Sequence, residues 1–233
     1  MKNIKMLTVT QIKIFPIDYI PYNQLLVSEF IEFVKGKYKF RQHEMPFEFF
    51  QKGTPNILIF QGGNLTINDV VISIKKLHFE DRKIFIETLA PSKIAKKVFL
   101  SIEKDIKKFD PEKSFKLSDA SYITEETSCI AALSVDHFSI FSDNLKSFLN
   151  KKLKPFFKQE IYEIRPSRLA YEVDFKQNEE LLREHNITLV PKKIIIEPRD
   201  GEPLSKNIFY THSPFNSEQH LKLLKEFEKS FKK

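Results

Sequence analysis

The chain has 233 residues, 41% of them hydrophobic, with 38 basic against 31 acidic side chains and a formal net charge of +7. That composition excludes wholesale disorder and supplies enough apolar surface for one large core or two smaller ones. It contains no apolar run near the roughly 18 residues of a membrane-spanning helix, and its single cysteine, Cys129, excludes an internal disulfide framework. Thr8, Thr10 and Gln11 interrupt the N-terminal stretch before a signal-peptide core forms, so a cytoplasmic, reducing compartment is expected.

In chain order, Lys5–Phe15 predicts a strand from its β-branched residues. Asn23 caps a helix to about Lys35, with Leu26, Val27, Phe30, Ile31 and Val34 on one stripe and Gly36 at its end. Asn56–Phe60 predicts a strand, and Gly62-Gly63-Asn64 a tight hairpin turn. Val70–His78 and Lys83–Thr88 form the next hairpin. Ser92 caps a basic helix whose stripe is Ile94, Val98, Ile102 and Ile106. After a charged break at Asp110–Leu117, Ser128–Val135 reads as a buried strand, and a helix starting at Asp136 or Ser139 runs to about Lys154. Strands follow at Glu160–Arg165 and Leu169–Phe175, then a short helix at Asn178–Glu184. Ile187–Glu197 and Ile208–Thr211 make the last hairpin, and Asn216 or Ser217 opens the final helix.

The stretch Lys83–Phe109 organises this order. Ile84-Phe85 leads through Thr88-x-x-Pro91 into a lysine-rich helix, and Asn207–Phe231 repeats the sequence of events with Ile208-Phe209 and Thr211-x-x-Pro214. The expectation is an α+β protein of two β-α-β4-α halves, 1–110 and 111–233, in which an antiparallel sheet carries its helices on one face. This duplicated order resembles the saddle of the TATA-box-binding protein over nearly the whole chain, as topology; a pair of ferredoxin-like halves is the nearest alternative.

Strand alternation turns Lys83, Phe85 and Glu87 away from the helices, and the matched repeat assigns Phe209 to the same face. Paired phenylalanines on a saddle face would wedge or stack against bases, as the resemblance implies. Arg168 and Lys83 add cations to that face, and Lys97 and Lys104 represent the basic helices. Six arginines among the 38 basic residues are few for phosphate recognition, because arginine is the better fork for it. No P-loop, G-x-S-x-G, ligand-spaced Cys/His set or E-x-K occurs, so no cofactor, metal ligand or catalytic residue is assigned. His137-Phe138-Ser139 lacks the second H-x-S that a paired-histidine phosphodiesterase needs, and Cys129 reads as a small core residue. The expected function is non-enzymatic binding or assembly, with nucleic acid or another protein as partner. The alternative is a metal-dependent nuclease or other hydrolase whose site assembles only in three dimensions.

Overall fold

The computed structural model describes residues 3–44, 57–140, 147, 151, 168–173 and 191–231. Among them, nine strands form one antiparallel sheet. β1 (Asn3–Ile14) is followed by a helical turn, α1 (Tyr22–Leu25), and by α2 (Ser28–Tyr38). β2 (Gln42–Glu44), β3 (Leu58–Ile67), β4 (Val70–Phe79) and β5 (Lys83–Thr88) lead to α3 (Ser92–Phe109). β6 (Tyr122–Ala132), β7 (Leu169–Val173), β8 (Lys192–Pro198) and β9 (Ile208–Ser213) complete the sheet, and α4 (Ser217–Ser230) follows. The strand order is β2-β3-β4-β5-β1-β6-β9-β8-β7, a mixed α+β architecture. Its centre is the long β1–β6 pairing, from Asn3 opposite Ala132 to Ile14 opposite Tyr122.

Apolar periodicity places the helices. α3 buries Ala95, Val98, Phe99, Ile102 and Ile106, a 3.6-residue stripe that packs over β5 and β1. Val98, Phe99, Ile102 and Ile106 join Phe30, Val34, Phe60, Leu77, Ile84 and Ile86 in one apolar cluster. A second, smaller cluster gathers Cys129, Ala131, Ile196, Phe209 and Leu224 between β6, β8, β9 and α4. Beside the first cluster Asp105 is buried, 1% exposed. The Tyr38 hydroxyl donates to it at 2.7 Å, and Lys37 and Lys108 pair with it. A buried carboxylate with these partners fixes α2 against α3 without leaving an uncompensated charge.

Several boundaries differ from the sequence reading. Gly62-Gly63-Asn64 is not a turn. β3 runs through it, and the chain reverses at Asn68-Asp69, both at positive φ (48° and 61°), with Ile67 paired to Val70. Asn and Asp reach that backbone conformation through their short polar side chains. Gly63 serves close approach instead: a Cβ there would lie 2.4 Å from the Phe40 ring and 2.8 Å from the Tyr38 carbonyl oxygen. The N-terminal helix breaks at Leu26-Val27 and continues past Gly36 to Tyr38, where Lys39 closes it in the left-handed region. β6 begins at Tyr122 rather than Ser128, because its polar Thr124–Thr127 segment finds β1 as a partner. Ser92 is the first residue of α3, with Pro91 in the capping position. The strand expected at 160–165 and the helix at 178–184 lie outside the described residues. So does most of the helix expected from 136 or 139 to 154; at its start a 3-10 turn spans His137–Ile140, and within it only residues 147 and 151 are described, both helical. Among the described residues no helix is long and apolar enough to cross a membrane.

Gly63→Ala is expected to destabilise the fold by about 1–3 kcal/mol through overpacking against Phe40. Gly36→Ala, at a helical position with nothing within 4 Å, should be neutral or stabilise by up to about 1 kcal/mol. Urea unfolding of the two variants checks the contrast.

Candidate functional site

Register sorts the central strands into two faces. Toward α3 and α4 point Thr88, Val9, Thr127 and Ser213, which form one row across β5, β1, β6 and β9. On the opposite face, which none of the described α-helices covers and which is called the open face below, lie Phe85 and Glu87 of β5, Thr10 and Ile12 of β1, Glu126, Ser128 and the buried Ile130 of β6, and Tyr210 and His212 of β9.

Phe85 sits on the open face, half-buried and stacked on the His78 ring with centroids 4.6 Å apart. Phe209 corrects the sequence reading: it is 1% exposed and packs on the helix side with Ala131, Ile196 and Leu224. The cause is one residue of spacing. Ile84 precedes Thr88 by four positions but Ile208 precedes Thr211 by three, so matching Ile-Phe to Ile-Phe moves the second strand to the wrong face. The open-face aromatic of β9 is Tyr210, opposite Ile130.

The open face carries charge in opposite-sign pairs. Lys83 meets Glu80 at 2.7 Å, Arg168 meets Glu197 at 2.7 Å, and Lys75 meets Glu87. Lys193 meets Glu172 at 3.4 Å, and Lys192 meets Glu126. Lys83 and Arg168, singled out as cations of this face, are therefore neutralised where they stand. The helix layer differs. Lys93, Lys96, Lys97 and Lys104 of α3 and Lys222 and Lys225 of α4 are exposed, and among the described residues none of them makes a salt bridge. On α3 they surround Leu100, itself 55% exposed.

Two histidines flank β9. His220 of α4 is fully buried, its Nε2 2.9 Å from Thr211 Oγ1 and its Nδ1 2.7 Å from Ser213 Oγ. Burial pushes its pKa down to about 4. On the open face, His212 Nδ1 lies 3.0 Å from Ser128 Oγ, which also lies 3.2 Å from the Tyr210 hydroxyl. His212 Nε2 faces Glu126 Oε2 at 3.8 Å, and Lys192 donates to the other carboxylate oxygen. Burial lowers the His212 pKa, with Glu126 opposing and Lys192 reinforcing the shift. No motif announces this group, because its members come from three strands; only the pairing of Ser128 with His212 brings it together. Cys129, buried among apolar side chains, has its thiol pushed up to about 11 by desolvation, which suits a core residue rather than a nucleophile.

A cleft of about 500 Å³ is lined by Asp18, Asp81, Asp110 and Glu112 among others. The Asp110 carboxylate is engaged by its own loop, accepting from the Glu112 and Phe115 backbone N–H groups at 3.1 and 3.0 Å. Among the described residues no three His, Cys, Asp or Glu side chains converge as a bound metal ion would require. Against protein-family models, curated proteins and solved structures the chain finds no match.

Phe209→Ala should cost about 3–5 kcal/mol, as an aromatic removed from a packed core, and Phe85→Ala distinctly less; thermal melts of both variants compare them. Two histidines, the buried His220 and the half-buried His78, set a pH dependence. His220 and His78 have pKa values of about 4 in the fold against an ordinary 6.5. The unfolded chain therefore binds protons that the folded one refuses. Their contribution to stability is complete above pH 6.5 and lost as the pH falls toward 4. Urea midpoints should decline over that window, and His220→Gln should flatten part of the decline.

Proposed function

We propose that the chain is a duplicated, saddle-like binding protein whose helix layer engages a polyanion, with nucleic acid as the partner. The observation that carries this is the contrast in charge between the faces: the sheet face cancels most of its cations locally, while α3 and α4, beside the Lys107–Glu103, Lys108–Asp105 and Lys229–Glu226 pairs, hold six exposed lysines that make no salt bridge among the described residues. Exposed lysines at helical spacing, several within one Debye length, attract a phosphate backbone and release its counterions. Lys97 and Lys104 belong to this surface. Because lysine meets phosphate as a point charge and the cluster includes no arginine fork, binding is expected to follow the backbone with little sequence preference.

The duplicated architecture is supported by register rather than by the matched motifs. Ser92 begins α3 four residues after Thr88, and Ser217 begins α4 four residues after Ser213. Thr88 and Ser213 flank the central Val9–Thr127 pair on either side. The halves correspond best as 88 to 213 and 92 to 217, which displaces the Thr-x-x-Pro match of 88 with 211 by two residues. That correspondence sets Phe85 against Tyr210 on the open face.

Affinity for a mixed-sequence oligonucleotide should fall steeply with salt. Six lysine contacts imply a log–log slope near −5 on duplex DNA, at about −0.9 per contact. Lys97→Glu combined with Lys104→Glu should reduce that slope by about 2 and leave the melting temperature within about a degree or two, because both side chains are exposed. Fluorescence anisotropy across a salt series reads both. A flat series, or undiminished binding by the double variant, counts against this surface.

A further inference from the structure

From the open-face group we infer a second property that the helix-layer reading does not use: Ser128, His212 and Tyr210 form a hydrolytic site for uncharged carboxylic esters, with Ser128 as nucleophile. Ser128 Oγ lies 3.0 Å from His212 Nδ1, within reach for proton transfer. The other ring nitrogen faces the Glu126 carboxylate at 3.8 Å. A carboxylate accepts but cannot donate, so it favours the tautomer protonated at Nε2. Nδ1 is then the bare nitrogen that takes the serine proton. The bond from Lys192 to Glu126 holds that carboxylate in place, which makes Glu126 a positioning residue. The Tyr210 hydroxyl, 3.2 Å from Ser128 Oγ, is the donor nearest to where an oxyanion would develop.

The fold does not demand an imidazole here. Across the sheet centre, the matching place holds Thr10 opposite Glu87, and Glu87 pairs with Lys75 instead. His220 shows the structural alternative: both its nitrogens also meet hydroxyls, but it is fully buried. His212, Ser128 and Glu126 are each only partly covered, so this group, unlike His220, is not sealed from solvent. Ile195 opposite His212 and Ile130 opposite Tyr210 border the group, and both match an apolar acyl chain.

In the reaction, Ser128 Oγ bonds to the ester carbonyl carbon while its proton passes to His212 Nδ1. The carbonyl π pair moves onto oxygen and is met by the Tyr210 hydroxyl. The carbon–oxygen bond to the alcohol then breaks, and the leaving alkoxide takes the proton from Nδ1. Water repeats the sequence on the acyl-serine, giving the carboxylic acid and returning the proton to Ser128. Ester and water are consumed, acid and alcohol are formed, and no other reactant enters.

The test uses the full chain with p-nitrophenyl butyrate and a fluorophosphonate probe. We expect turnover that falls at least about 100-fold in Ser128→Ala and His212→Asn, a magnitude typical of losing a nucleophile or its base, and a single phosphonylated peptide containing Ser128. Glu126→Gln should move the acid limb of the pH–rate profile to lower pH, since the carboxylate favours the imidazolium. Equal turnover in wild type and a folded Ser128→Ala variant overturns the proposal. So does labelling that misses Ser128 in the wild-type protein, a result that stands even if the alanine variant fails to fold.

Discussion

Two helix N-termini meet over the middle of the sheet, and the rest of the molecule is arranged around that encounter. Each helix start carries about half a positive elementary charge, so bringing α3 and α4 together end to end needs compensation. Ser92 and Ser217 provide it reciprocally: the Ser217 N–H donates to the Ser92 hydroxyl at 2.7 Å, and the Ser92 N–H donates to the Ser217 hydroxyl at 3.0 Å. Both serines are buried. The strand row beneath them is Thr88, Val9, Thr127 and Ser213, all small enough to let the helix ends approach the sheet. Thr127 Oγ1 also donates to the Phe215 carbonyl at 2.8 Å, tying β6 to the turn that leads into α4.

This small, polar seam divides the interior. On one side lies the large cluster built on α2, α3 and β3–β5, and on the other the smaller one beneath α4. The β1–β6 ladder crosses the seam without interruption over most of its length, so backbone hydrogen bonds join what the apolar clusters separate. A long antiparallel ladder suits this role because it satisfies its own donors and acceptors whatever side chains it carries. That is why the polar Thr124–Thr127 segment can lie at the centre of the sheet.

The seam also decides what each face can present. With both long helices on one side, their outer stripes carry several lysines that make no salt bridge among the described residues beside others that do, such as Lys107 with Glu103 and Lys229 with Glu226, whereas the opposite side is an array of cross-strand neighbours. Neighbouring strands hold side chains about 5 Å apart, and at that distance opposite charges find one another. Hence the lysine–glutamate pairs of the open face, and hence the Ser128–His212 contact, which is a directly opposed pair on adjacent strands. The same strand, β9, sends Thr211 and Ser213 the other way to hold His220. Alternation thus gives one strand a fully buried imidazole site on one face and a partly covered one on the other.

The sequence by itself determined the element types wherever periodicity was strong: the β4–β5 hairpin, α3 from its apolar stripe, and α4 from Asn216, whose side chain accepts from the Gln219 N–H at 2.9 Å. Composition likewise determined that lysine would crowd the helices. Tertiary structure decided the rest, because the deciding quantities are pairings between distant segments. Gly62-Gly63 resembles a turn locally, yet Phe40 and Tyr38 need the missing side chain of Gly63 for close packing. Phe209 resembles Phe85 in its dipeptide, yet register against β6 turns it inward, since one residue of slip exchanges the faces of a strand. Ser128, Glu126, Tyr210 and His212 carry no spacing that links them, and only the antiparallel alignment of β6 with β9 makes them neighbours. Side-chain type is a local property that a sequence records, whereas the face and partner of a strand residue are fixed by the hydrogen-bond register of the strand beside it.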